Sequence, residues 1–148
     1  MTLNIIDRPA VTVVGLQIRT RPMSPDIPAL WPRFVGRMHE IPEAAEPGVT
    51  YGVMQGMQDQ LDYAATVAVT SAGTVPEGMT SLVLPAGPYA VFSYPLSGLA
   101  AGFGEIFGRL LPESGVALRP GPYFERYGEA FCPDDPASLV EIHLPVAP

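Results

Sequence analysis

Glu125 stands between Tyr123 and Tyr127 at every-second-residue spacing. On a β-strand that spacing puts the three side chains on one face and Phe124 with Arg126 on the other. A carboxylate among aromatic rings has two chemical uses. Removed from water, it pairs with a lipophilic cation, helped by the negative faces of the rings. With a water molecule held beside it, the same group serves as a general base. The bland alternative is a solvated rim charge beside tyrosines whose hydroxyls reach water. Spacing alone does not choose among the three.

Other chemistry-bearing residues are sparse. Trp31, Tyr51, Tyr63, Tyr89 and Tyr127 are the aromatic candidates for stacking on a flat ligand, and each is equally a candidate core residue. Glu141 and His143 share a strand face and could make an acid/base pair, but two ligands are too few for a metal site, so neither metal nor cofactor is expected. Alternation with Ile142 and Leu144 places His143 opposite the core, and His39 falls near the polar end of a helix, exposed. There is no Gly-x-Ser-x-Gly, and the one cysteine, Cys132, has no evident histidine partner and can form no intrachain disulfide.

The elements that must carry these residues can be read from periodicity. Ala10 to Arg19 is Val/Ile-rich with poor alternation, as in a strand buried on much of both faces. Leu30, Phe34, Met38 and Ile41 recur at helical spacing beside Trp31, in a helix starting near Pro28 so that Pro32 is tolerated. Thr50 to Met57 and Leu61 to Val69 read as a hairpin about Gln58-Asp59-Gln60, and residues 71–78 as a linker.

Ser81 to Leu84 and Tyr89 to Tyr94 are strands about the turn Pro85-Ala86-Gly87-Pro88. Ser97 is a helix N-cap, with Leu99, Phe103, Ile106, Phe107 and Leu110 on one buried face and Pro112 as the stop. Gly98, Gly102, Gly104 and Gly108 weaken that helix and imply close backbone approach. Tyr123 to Ala130 and Ser138 to Val146 are the last strands.

The two halves read alike. At an offset of 76 residues Pro9-Ala10 falls on Pro85-Ala86, Leu30-Trp31 on Ile106-Phe107, Tyr51-Gly52 on Tyr127-Gly128 and Val49 on Glu125. We therefore expect a single domain over residues 1–148 made of two repeats, about 1–72 and 77–148, with Trp31 and Phe107 as equivalent core residues.

Composition limits the partners. Fifteen acids against eight arginines and no lysine give a net charge of −7, which repels a phosphate backbone, so direct nucleic-acid binding is not expected and a neutral or cationic ligand is favoured. No apolar run approaches the roughly 20 residues of a membrane helix. Asp7 and Arg8 interrupt the only apolar N-terminal stretch, so no secretory signal is read and a cytoplasmic location follows by default.

Pro85-Ala86-Gly87-Pro88-Tyr89-Ala90-Val91-Phe92, Leu111-Pro112-Glu113-Ser114-Gly115, Pro122-Tyr123-Phe124-Glu125-Arg126-Tyr127 and Val140-Glu141-Ile142-His143-Leu144-Pro145-Val146, with Leu30-Trp31 and Tyr51-Gly52-Val53, resemble the GyrI-like small-molecule-binding family, which includes effector-binding domains of multidrug-responsive transcription activators. The resemblance implies an α+β fold of two pseudo-symmetric β-α-β-β repeats, an antiparallel sheet with helices packed on it, and a groove between the halves for bulky, often cationic compounds. It also implies a buried glutamate at the position of Glu125. Some relatives hydrolyse electrophilic, cyclopropane-bearing toxins, but the acid expected in the hairpin's second strand is Ala68 here, leaving Glu125 to act nearly alone as the catalytic base. A third expectation is a surface that inhibits a protein partner, as the family name suggests for gyrase.

Overall fold

The run Val11–Thr20 is dominated by β-branched residues, which fit a pleated surface better than a helix. It forms the second strand of an eight-stranded antiparallel sheet in the computed structural model, which describes residues 3–57, 60–71 and 73–148. In chain order the elements are β1 (Ile5–Arg8), β2 (Val11–Thr20), α1 (Asp26–Val35), β3 (Thr50–Met57), β4 (Gln60–Val69), β5 (Thr80–Leu84), β6 (Gly87–Pro95), a three-part helical segment, β7 (Tyr123–Tyr127) and β8 (Leu139–Pro145). The helical segment consists of α2 (Leu99–Glu105), a π-helical turn (Ile106–Leu110) and α3 (Leu111–Ser114). Gln58 and Asp59 of the expected hairpin turn, and Ala72 of the expected linker, lie outside the described residues.

Strand order is β1-β6-β8-β7-β3-β4-β2-β5. Read from either edge the order is the same when the halves are exchanged, with β1 answering to β5, β6 to β2, β8 to β4 and β7 to β3. The halves meet where β3 pairs with β7, and each lends its first strand to the other, β1 to β6 and β5 to β2. The periodicity missed β1, because an exposed edge strand carries Asp7 and Arg8 without needing an apolar face.

Helices cover one face of the sheet. Leu30 and Phe34 of α1 are buried against Val14, Leu16, Tyr63, Ala65 and Val67, and each such burial contributes roughly 1.5–3 kcal/mol. Ile106, Leu110 and Leu111 form a second cluster with Ile142 and Leu144 of β8. Phe103 and Tyr123 pack against both clusters and so line the seam between the halves.

Several local expectations change. Pro32 lies inside α1 and denies the Pro28 carbonyl its helical donor, and the helix ends at Val35, before the 3₁₀ turn Met38–Glu40. Ser97 caps nothing: it sits in the 3₁₀ turn Leu96–Gly98, and Gly98 precedes α2 without a side-chain cap. Pro112 does not stop the helix. It lies in the first turn of α3, behind the wider π turn that accommodates its missing N–H, and the helix ends at Gly115 with φ 73°. Within that turn Phe107 swings out to 43% exposure while its neighbour Ile106 is fully buried, so Phe107 is not a core residue. Close approach explains only Gly102, where a Cβ would lie 2.6 Å from the Tyr94 ring; at Gly104 and Gly108 the space is open.

The far face of the sheet is buried too. Val13, Tyr51, Val53, Leu84, Tyr89 and Phe124, all from strands, form one cluster with Val49 because the sheet curls upon itself. This corrects the placement of His143: it does lie opposite the helical face, but it is 1% exposed and stacked on Phe124, with ring centroids 4.7 Å apart.

Candidate functional site

Antiparallel pairing sets Gly52 of β3 directly opposite Glu125 of β7, at the middle of the ladder joining the halves. The residue facing Glu125 is thus Gly52; Val49, which the 76-residue offset aligns with Glu125, lies before β3 in the far-face cluster and does not occupy the equivalent place. The Tyr63–Glu125 contact in its present geometry depends on the missing side chain at Gly52. A Cβ there would run into the Tyr63 hydroxyl and come within 2.7 Å of Glu125 Oε1. Without it, β4 can aim Tyr63 across β3 at the carboxylate.

Glu125 is 6% exposed, which discards the rim-charge alternative. Tyr63 and Tyr127 each donate a hydroxyl hydrogen bond to Glu125 Oε1, at 2.8 and 2.9 Å, and Trp31 Nε1 donates to the Tyr63 hydroxyl at 3.1 Å. Oε2 accepts no hydrogen bond and Glu125 joins no ion pair among the described residues. Trp31 also meets Tyr127 edge-on, with ring centroids 5.3 Å apart. A buried carboxylate thus carries two phenols on one oxygen and leaves the other free.

Burial raises the Glu125 carboxyl above its ordinary value, against the opposing pull of the two phenol hydrogen bonds. Burial likewise raises the Tyr63 and Tyr127 phenols, with the nearby Glu125 charge adding to it, so both remain donors and the carboxyl is the group that titrates. Chemically the arrangement can accept a cation at Oε2 or take a proton from a bound water.

Of the six expected contacts, Trp31, Tyr63, Glu125 and Tyr127 come together. Tyr51 and Tyr89 do not join them. Tyr51 is one residue out of step with Gly52 and therefore points to the far face, where its hydroxyl donates to Glu46 at 2.5 Å and accepts from Arg8 at 3.2 Å. Tyr89 is buried on the same far face, its hydroxyl bonded to the Pro85 carbonyl at 2.6 Å and its ring, like that of Tyr51, packed on Phe124. Phe103 and Phe107 reach the seam without having been singled out as contacts, since a helical apolar face reads as core. Ala68, where the resemblance expects an acid, also belongs to the far-face cluster.

Glu141 and His143 do pair, at 3.0 Å, and burial lowers the His143 pKa, so its neutral ring donates from Nε2 to Glu141. Among the described residues no three potential metal ligands converge, and no helix is long and apolar enough to cross a membrane.

The model of the GyrI-like small molecule binding domain matches residues 1–147. The transcriptional regulator BrlR of Pseudomonas aeruginosa is 36% identical over 150 residues, which include 99% of this chain and 56% of BrlR, so the chain spans about half of that relative. Among solved structures, SAV2435 bound to tetraphenylphosphonium superposes with a TM-score of 0.78 at 15% identity, covering 99% of this chain and 94% of that one. EcmrR in its complex with DNA gives 0.72 at 17% identity, covering 98% of this chain and 57% of that one. An integron cassette protein of Vibrio cholerae gives 0.71 at 19% identity over 98% and 95% of the two chains.

Proposed function

The chain belongs to the GyrI-like small-molecule-binding family, and from that premise we propose that it takes bulky lipophilic cations into the seam between its halves, with Glu125 as the anchor. The observation that carries this reading is the state of Glu125: buried, hydrogen-bonded only by neutral phenols on Oε1, and without a cationic partner among the described residues. An ionised carboxylate held that way costs several kcal/mol, and a ligand cation at Oε2 is the partner that would offset the cost. Trp31, Tyr63 and Tyr127 then offer aromatic faces to the same charge. The tetraphenylphosphonium bound by SAV2435 is a ligand of this chemistry on a similar fold, which supports the choice of probe.

The regulators among the similar proteins extend the reading to signalling, with ligand occupancy passed on to a DNA-binding partner or segment. At a net charge of −7 this chain does not contact DNA phosphates itself, and its place of work is the cytoplasm.

A second reading, hydrolysis of a strained electrophile, rests on the same raised carboxyl, which suits a general base. Calorimetry with tetraphenylphosphonium and with neutral triphenylphosphine oxide separates the possibilities. The expected cation affinity is micromolar, about −8 kcal/mol, falling by tenfold or more in Glu125→Gln, while the oxide is little affected. Equal loss for both compounds would reject charge pairing. Turnover of a cyclopropane-bearing electrophile that fell roughly 100-fold in the same variant would favour the hydrolase.

A further inference from the structure

The two outermost strands of the sheet hold matching places in the two halves but present different edges. β1 carries Asp7 and Arg8 and is followed by Pro9, and charges and proline are what keep an open edge from pairing. β5 reads Thr-Ser-Leu-Val-Leu, with neither charge nor proline. It pairs with β2 alone, and along its other side Thr80–Leu84 make no backbone hydrogen bond among the described residues. Val83 leaves 56% of its surface in water there.

The open edge has a defined length. β5 and β6 run beside β2 and β1 in one continuous register, with Leu84 opposite Val11 and Gly87 opposite Arg8. The other side of this long bent strand is taken by β8 as far as Pro88, whose carbonyl accepts from Val146 N at 3.1 Å. At the opposite end Gly78, with φ 79°, turns the chain just ahead of β5. What is left is a slot about 17 Å long, the length of β5 itself.

We propose that β5 is a self-association edge, on which a second copy of this chain lays its own β5 antiparallel about a twofold axis at Leu82. In that register Leu82 faces its own counterpart, Ser81 faces Val83 and Thr80 faces Leu84, so no charge is buried and Val83 is covered from the neighbouring copy. The flanks are complementary too. The register brings Glu77 of one copy to the Gly87 end of the other, where Arg119 lies against the strand and donates to the Pro88 carbonyl at 3.0 Å. Neither Glu77 nor Arg119 joins an ion pair among the described residues. A twofold contact closes on itself, and the charged β1 edge offers no second place to pair, so association stops at two copies. The contact is small and the net charge of −7 on each copy opposes it, which sets dimerisation at about 10–100 µM.

The test is sedimentation velocity of the wild type, Val83→Lys and Val83→Thr from about 5 to 500 µM, with melting curves and with backbone amide exchange at both ends of that range. The wild type should pass from monomer to dimer, and the outward amides of Thr80–Leu84 should exchange about threefold or more slower at the high concentration while those of β1 do not change. Val83→Lys places a charge on the edge and should remain monomeric with its melting temperature within about 2 °C of the wild type, because the side chain is exposed. Val83→Thr, which keeps the β-branch, should still dimerise. A wild type that stays monomeric throughout, a dimer that Val83→Lys leaves intact, or protection that appears elsewhere than on β5 would overturn the proposal.

Discussion

Two adjacent residues of β7 treat charge in opposite ways. Arg126, on the far face, bridges Glu46 at 3.1 Å and Glu141 at 3.8 Å; Glu46 also accepts from Tyr51, and Glu141 from His143. That network links groups on β3, β7, β8 and the loop before β3, and leaves each of its carboxylates with a partner. Glu125, on the helical face, has phenols on one oxygen and no cationic partner among the described residues. Charges that serve the fold are paired, as burial demands. Among the described residues the one buried carboxylate, Glu125, has no counter-charge and lies at the seam between the halves, which is what a binding site built to receive that counter-charge requires.

The largest expected effect belongs to the structural side of this comparison. Phe124 sits fully buried between Tyr51, Tyr89 and His143, with ring centroids 5.5, 5.4 and 4.7 Å away. Phe124→Ala should destabilise by about 3–5 kcal/mol in urea unfolding, with the loss spread over one cooperative transition. Two separated transitions would show that the halves do not share this core.

A smaller effect has opposite signs on the two faces. Burial raises the Glu125 carboxyl, so its contribution to stability is present below the unfolded-state value and is lost as pH rises through the folded one. For Glu46 burial alone would also raise the carboxyl, but hydrogen bonds from Tyr51 and Arg126 outweigh it and hold the group below its ordinary value. Its contribution is therefore present above the unfolded-state value and lost as pH falls. Melting temperatures from pH 3 to 8 should show Glu125→Gln gaining on the wild type as pH rises, and Glu46→Gln losing ground over the same change. Parallel curves would mean that the two carboxylates are not in the contrasting settings described.

How far the sequence speaks to this comparison depends on distance along the chain. Alternation alone put Tyr123, Glu125 and Tyr127 on one face, and the β3–β4 hairpin followed from local pattern, because strand period and turn chemistry are local properties. Gly52 opposite Glu125 was not legible. The β3–β7 register is set between residues 73 positions apart, and the 76-residue offset that serves β2 and β6 does not carry through to the seam. Tyr51, Tyr89 and His143 were misplaced for a different reason: alternation says which face a side chain takes, but not that a curled sheet buries both. The π turn that turns Phe107 outward was hidden as well, since its helical spacing matched a core face and Pro112 looked like a terminator.

The central claim is that Glu125 receives a ligand's positive charge. Its most direct test is calorimetric titration of tetraphenylphosphonium at mildly acidic pH in two buffers of different ionisation enthalpy, with the wild type and Glu125→Gln. Because burial favours the protonated carboxyl in the free protein, a permanent cation at Oε2 should drive that proton off, giving a buffer-dependent binding enthalpy in the wild type and none in the variant, together with weaker binding by the variant. Identical enthalpies in the two buffers, with undiminished affinity in Glu125→Gln, would contradict it.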